Sequence, residues 1–442
     1  MNKLTRKQRP ALTLAILLAI AAPGQALAQD AGTQDLEARI AQLEQMVQGL
    51  KAELDAQKAQ AAAAPPPAPA AQPLQSTPIM PAANPGTRFS FGGFVKLDAM
   101  VTDTDGGEIA DGSAGRLFYL PSAIPVGGAP ESGNDLDSHA QFSRLWFGAD
   151  TDLDGRKLKA YLEMDIFGGA LGNEIATNTY GLTIRHAYVS WDKWLAGQTW
   201  SNFQDVASLP DAVDFIGPTE GTVFVRQAQL RYTSGPWSFS LENPETTTTS
   251  YLTGVRGNSD DNSVPDFTAR YVSRGDWGHV SIAGMARQLK VANAFGSQDD
   301  TAFAVSVSGK WNVGASDDVR YMLSYGPGIG RYLGLGLGPD AMTAADGSLE
   351  ALDGIGGFVA WRHVFSPKWR GNVFYSAAKF DNETALTGLG VTESSQSFHA
   401  NLIYSPLPKL DVGAELIWGN RELESGADGD LRRLHMHVKY SF

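Results

Sequence analysis

The sequence predicts an all-β fold, a 16-stranded antiparallel transmembrane β-barrel with a short N-terminal coiled-coil helix. Three observations carry this expectation. Apolar and polar residues alternate with period two in segment after segment from Arg88 to Phe442. Short turns and long loops separate the segments in strict alternation. Glycine is abundant, 48 of 442 residues, beside 10 tryptophans, 13 tyrosines and 20 phenylalanines, a composition that suits an aromatic-rich β architecture.

The chain begins with Lys3, Arg6, Lys7 and Arg9, an apolar run from Ala11 to Ala22, and Ala26-Leu27-Ala28 before Gln29, which reads as a signal peptide over residues 1–28. An apolar run of about 12 residues is too short for the roughly 20 that a spanning helix needs. Leu36, Ile40, Leu43, Val47, Leu50 and Leu54 then follow 4-3 spacing, the signature of a coiled coil, which we place over residues 29–58 in the periplasm. A single amphipathic helix lying on its own domain is the alternative reading. Alanine and proline dominate residues 59–87 and predict an extended, semi-rigid linker without a core.

The barrel is expected from residue 88 to 442. The last segment is the clearest, with Leu434, Met436, Val438, Tyr440 and Phe442 alternating with Arg433, His435, His437 and Lys439. Together with a first segment starting at Phe89, alternation at 141–152, 156–168, 180–191, 194–203, 223–233, 236–243, 266–273, 277–289, 301–312, 318–326, 355–365, 369–379, 396–405 and 409–419 completes sixteen. Tight turns such as Asp154-Gly155 and Ser234-Gly235 lie on one side. Eight long connections, 102–140, 169–179, 204–222, 244–265, 290–300, 327–354, 380–395 and 420–431, lie on the other. An even strand count with this asymmetry describes a barrel of the bacterial outer membrane, closed because hydrocarbon cannot satisfy an open sheet edge. Trp146, Trp191, Trp194, Trp237, Trp277, Trp311, Trp361, Trp369 and Trp418 near strand ends are expected to form the interfacial girdles.

With the apolar faces on lipid, the polar faces form a pore wall. Arg144, Lys159, Arg185, Arg231, Arg270, Arg287, Arg320, Arg362 and Arg433 then point inward, joined by Lys96, Lys310, Arg370 and Lys439. Outward placement at mid-bilayer would cost roughly 2–4 kcal/mol for each. Acidic residues on the same faces, Asp98, Asp150, Glu163, Asp165, Glu242, Asp266, Asp411 and Glu415, are fewer. The wall is therefore basic inside a chain of net charge −13, and basic rings favour anions. Wall ion pairs serving rigidity are the competing reading for any single arginine. The third long connection, 204–222, is the expected constriction loop. It carries Asp205, Asp211, Asp214 and Glu220 among Pro210, Gly217 and Pro218, and its carboxylates are expected to face Arg144, Arg185 and Arg231. Gly330 to Gly338, glycine alternating with leucine, reads as a mobile loop.

Several classes are excluded. Without cysteine there is no thiolate metal site, disulfide frame or cysteine nucleophile. The acidic balance argues against nucleic acid. No nucleophile elbow, phosphate-binding glycine loop or HExxH helix is present, so neither an enzyme nor a cofactor is expected. His435 and His437 share one strand face and bind a metal only with ligands from neighbouring strands.

Arg185-His186-Ala187-Tyr188-Val189, Leu195 to Phe203 (LAGQTWSNF), Leu209-Pro210-Asp211 to Gly217-Pro218, and Phe224-Val225-Arg226-Gln227 occur in order within this frame. In these motifs and in its terminal aromatic, Phe442, the chain resembles the DcaP-like outer-membrane porins. That resemblance implies a homotrimer with its coiled coil in the periplasm, set among outer-membrane lipid and lipopolysaccharide, that admits small anionic solutes such as dicarboxylic acids. A stringent channel for phosphate-like or aromatic acid solutes, and a structural tether between outer membrane and cell wall, remain as alternatives.

Overall fold

The computed structural model describes residues 86–129, 133–169, 171 and 177–442, with Glu44, Gln45, residues 47–49, Lys51, Ala52 and Asp55. The latter residues are helical and fall on the heptad stretch. The expected signal peptide, the rest of the expected coiled-coil stretch and the expected linker up to residue 85 lie outside the described residues. The chain divides into two compact units, Met1–Ala83 and Asn84–Phe442, and the second is the barrel.

Its strands, in chain order, begin with β1 (Arg88–Thr104), β2 (Asp135–His139), β3 (Arg144–Leu153), β4 (Arg156–Asp165), β5 (Thr183–Trp191), β6 (Trp194–Trp200), β7 (Arg226–Ser234) and β8 (Trp237–Glu242). After the short strands β9 (Thr246–Thr249) and β10 (Arg256–Ser259) come β11 (Asp266–Gly275), β12 (Gly278–Asn293), β13 (Gly296–Val313) and β14 (Asp317–Pro327). The chain ends with β15 (Ala341–Thr343), β16 (Leu349–Ala351), β17 (Asp353–Ser366), β18 (Trp369–Phe380), β19 (Thr392–Leu407), β20 (Leu410–Leu423) and β21 (Asp428–Ser441). Each barrel strand pairs antiparallel with the next. β1 closes the cylinder against β21, with Val95 opposite Tyr440 and Val101 opposite Leu434. β2 extends the line of β3 along β1, so the closed wall has sixteen strands. β9, β10, β15 and β16 form a separate four-stranded sheet in the long connections.

All sixteen predicted segments are strands, and the turn chemistry explains their register. Asp154 and Gly155 both take positive φ, 53° and 76°, the conformation of the primed turns that match the twist of paired strands. The alternation resolves into two faces. Leu434, Met436, Val438 and Tyr440 are on the outer face, whereas Arg433, His435 and His437 are buried on the inner one.

Three local expectations are corrected. The connections 290–300 and 420–431 are hairpins, because β12 and β13 continue to Asn293 and Gly296, and β20 and β21 to Leu423 and Asp428. Trp146 is not a girdle residue. It lies on the inner face, stacked on Tyr161 with ring centroids 6.1 Å apart, where a Cβ on Gly92 would stand only 2.6 Å from its indole. The glycine-rich stretch is packed rather than mobile: Ile329, Tyr332, Leu333 and Leu337 are fully buried. Gly338 explains the local composition, since a Cβ there would come within 2.3 Å of the Phe380 ring.

Candidate functional site: the barrel interior

Two chemically different surfaces line the inside of the barrel. On β12, β13, β14, β17 and β18 the inner positions include Ala283, Met285, Ala304, Met322, Phe358, Ala360, Phe374 and Ala378. Bare, such a wall would expose apolar surface to water. It is covered instead by Phe203 and Val223 from the chain around 204–222 and by Ile329, Tyr332, Leu333 and Leu337 from 327–354. Burying each large apolar side chain contributes about 1.5–3 kcal/mol. The two connections also bond to one another. Phe224 N donates to Tyr332 O at 3.0 Å, Gly334 N donates to Thr222 O at 3.0 Å, and Val223 forms a bridge with Leu333.

Loop 204–222 runs along the inner wall, held side chain by side chain. Asp205 meets His279 of β12 at 2.7 Å, and Arg320 of β14 donates to Leu209 O. Asp211 pairs with Arg370 of β18 at 2.5 Å. Val213 N donates to Glu415 of β20 at 2.7 Å, and Val213 O accepts from Lys96 Nζ of β1 at 2.9 Å. Gly221 passes so near β17 that a Cβ would lie 2.1 Å from the Gly357 backbone. Residues 102–140 reach the same place from the other side. Tyr119 N donates to Asp214 Oδ1 at 2.8 Å, and Tyr119 Oη donates to Glu220 Oε1 at 2.5 Å.

Four predicted loop carboxylates are therefore inside the barrel, but not against Arg144, Arg185 and Arg231. Asp205 faces His279, Asp211 faces Arg370, Asp214 faces His435, and Glu220 accepts from Tyr119 and Ser397. The partners were missed because loop-to-wall register is non-local, and nothing in the spacing of 204–222 encodes it. Burial raises the Asp214 carboxyl, but hydrogen bonds and charge from His435 and the amides of Tyr119 and Ile216 outweigh it and hold the group well below the usual carboxylate range. For Glu220 full burial wins, and its carboxyl is pushed up.

The other surface, on β3–β8 and β11, is charged. Arg185 bonds Glu163 at 3.0 Å and Asp165 at 2.8 Å, and Arg144 lies 3.3 Å from the same Glu163. Lys159 is opposite Asp150 in register and lies over the Tyr161 ring at 5.2 Å. Arg231 and Arg270 donate to backbone carbonyls, Trp200 O at 2.5 Å and Gln204 O at 2.6 Å, and each keeps a buried Nε without a partner. Arg226, which the sequence lists did not single out for the wall, stacks over Trp200 at 4.3 Å.

The remaining predicted cations have other duties. Arg287 is fully buried between Asp266 at 3.2 Å and Asp340 at 2.7 Å. Arg320 and Arg362 share Asp318 near a turn, and Arg433 donates to Thr102 and Gly115 O. Six of the seven histidines are buried, at 139, 186, 279, 399, 435 and 437, which scattered positions in sequence concealed.

A cavity of about 580 Å³ opens between residues 111–117 and 137–141 and the segment around Phe167 and Tyr180, with Arg116 and His139 in its lining. A groove of similar volume beside Leu323, Ile355 and Val359 is on the outer, lipid-facing surface, off any route through the barrel.

A closed sixteen-stranded barrel, apolar outside and filled by inward loops and facing charges, defines an outer-membrane channel of the porin class. The chain belongs to the DcaP outer membrane protein family, whose family model matches residues 25–442. The crystal structure of the outer membrane channel DcaP of Acinetobacter baumannii is similar at 25% identity and a TM-score of 0.68, over 81% of this chain and 99% of that one. The anion-selective porin from Comamonas acidovorans shares the fold at 11% identity and a TM-score of 0.51, over 80% of this chain and 100% of that one. Salmonella typhi OmpF in complex with daunomycin does so at 13% and 0.50, over 81% and 98%. No curated protein matches the chain.

Proposed function

We propose that this channel is a homotrimeric porin for the passive uptake of small organic anions such as dicarboxylic acids, with loop 204–222 setting the aperture and the heptad helix in the periplasm. The observation that carries the reading is the pair Arg231 and Arg270, guanidinium groups on the inner wall that bond only to carbonyls and keep unpartnered Nε donors. Among the described residues neither cation has a carboxylate within salt-bridge distance, Glu242 and Asp205 acting on them at longer range, so both attract anions, and weak, successive contacts release them again. Arg144 and Arg185, paired with Glu163 and Asp165, add to the field. A dicarboxylate exchanges part of its hydration for contact with these half-buried guanidinium groups while loop 204–222 limits its width. Planar-bilayer reversal potentials in a salt gradient test the reading. Wild type should favour anions, and Arg231→Glu with Arg270→Glu should move the potential toward cations. An unchanged potential would overturn it.

A further inference from the structure

Four inner-wall histidines touch loop 204–222 directly or through one carboxylate, and they do so in two ways. His437 of β21 has its Nδ1 3.4 Å from Val213 O, a contact one ring N–H satisfies. His399 of β19 uses Nδ1 on Glu415 at 2.8 Å while its Nε2 has no partner, so it too needs a single donor. His279 meets Asp205 through Nε2 alone. His435 differs. Its Nε2 lies 2.9 Å from Asp98 of β1 and its Nδ1 3.4 Å from Asp214 of the loop, with the ring wholly buried. The Nδ1–Asp214 contact is an ion-pair separation without hydrogen-bond geometry; neutral imidazole carries no charge, so only the imidazolium pairs with both carboxylates. Buried charge left unpaired is costly.

We propose that His435 is a positioning residue that holds loop 204–222 on the inner wall, and that its proton ties the pore aperture to pH. The inference rests on the reading of this loop as the constriction. Asp214 converts the contact into loop shape, because its Oδ2 accepts from Ile216 N at 3.0 Å and Gly217 N at 3.1 Å while Oδ1 accepts from Tyr119 N at 2.8 Å. The groups around the ring come from every packed element. β1 supplies Lys96 and Asp98, 2.7 Å apart, and β2 supplies His139, bonded to Leu117 O. β20 places Glu415 opposite His435 in register, with β19's His399 behind it. β21 adds Arg433 and His437, and the 102–140 segment adds Tyr119. Lys96 already pairs with Asp98, so loss of the ring proton leaves Asp214, the carboxylate on the loop, with its backbone amides but without a paired cation. The clamp therefore holds while the ring is protonated and loosens once that proton is lost.

Single-channel recording of the full chain between pH 5.5 and 9 tests this. Wild type is expected to show low, quiet conductance at the acid end and a reversible rise with pH. His435→Gln should lose the dependence and sit at the high level throughout. Asp214→Asn, with no loop charge to strand, should lose it at the low level and decides the matter if the first variant does not fold. His363→Gln, at a turn beside Asp317, should keep the wild-type profile. Wild-type conductance flat with pH, or a His435→Gln profile identical to wild type, would overturn the proposal while removal of 206–216 still raised conductance. If that removal changed nothing, the constriction reading itself would fall, and this inference with it.

Discussion

On β17 and β18 the inner face reads Gly354, Gly356, Phe358, Ala360, Phe374 and Ala378, whereas β3, β4 and β5 present Arg144, Trp146, Glu163, Asp165 and Arg185. Both sets obey the same period of two and both face inward. What differs is the neighbour. The first set is covered by loops 204–222 and 327–354 and has become the interior of a protein; the second keeps its charges facing the lumen or one another. Alternation thus fixes which side chains point in, and the course of the loops then decides whether protein or solvated solute is opposite them.

Substitutions break or sharpen this contrast, and the largest effect belongs to the ion cluster under the loops. Arg287→Ala leaves Asp340 buried without its cation and Asp266 with Arg331 alone, and should cost about 3–5 kcal/mol, read as a lower unfolding midpoint in denaturant. Leu333→Ala, in the covered half, should cost about 2–5 kcal/mol and expose the amides of 327–354 to hydrogen exchange without altering ion preference. Gly338→Val forces a side chain against Phe380 and should cost about 1–3 kcal/mol, loosening the same loop. At the other extreme Lys379 and Glu393 pair at 2.8 Å on an exposed surface, so Lys379→Ala should change stability by less than about 1 kcal/mol.

The barrel was legible because its signals are local. Each strand announces itself by its own alternation and each tight turn by residues such as Asp154-Gly155. The 290–300 and 420–431 hairpins escaped notice because strands rising above the membrane no longer need an apolar outer face, and the period-two signal fades there. Gly330 to Gly338 looked mobile because glycine permits many conformations; packing of Leu333 and Leu337 against Met322 and Phe358 selects one, and that choice is made by residues far away in sequence. The inward course of Asp205, Asp211, Asp214 and Glu220 was legible from loop length and position, whereas Arg370, His279 and His435 as their partners were not.

The division of the lumen is tested most directly by thiol access, which the absence of cysteine makes clean. Ser190 lies on the inner face of β5 opposite Lys159, and Ser376 is fully buried on β18, where its hydroxyl accepts from Gly221 N at 2.9 Å. With an anionic thiosulfonate, Ser190→Cys should react quickly and lower conductance, and Ser376→Cys should stay inert. Equal reaction of both, or silence at Ser190→Cys, would contradict the account.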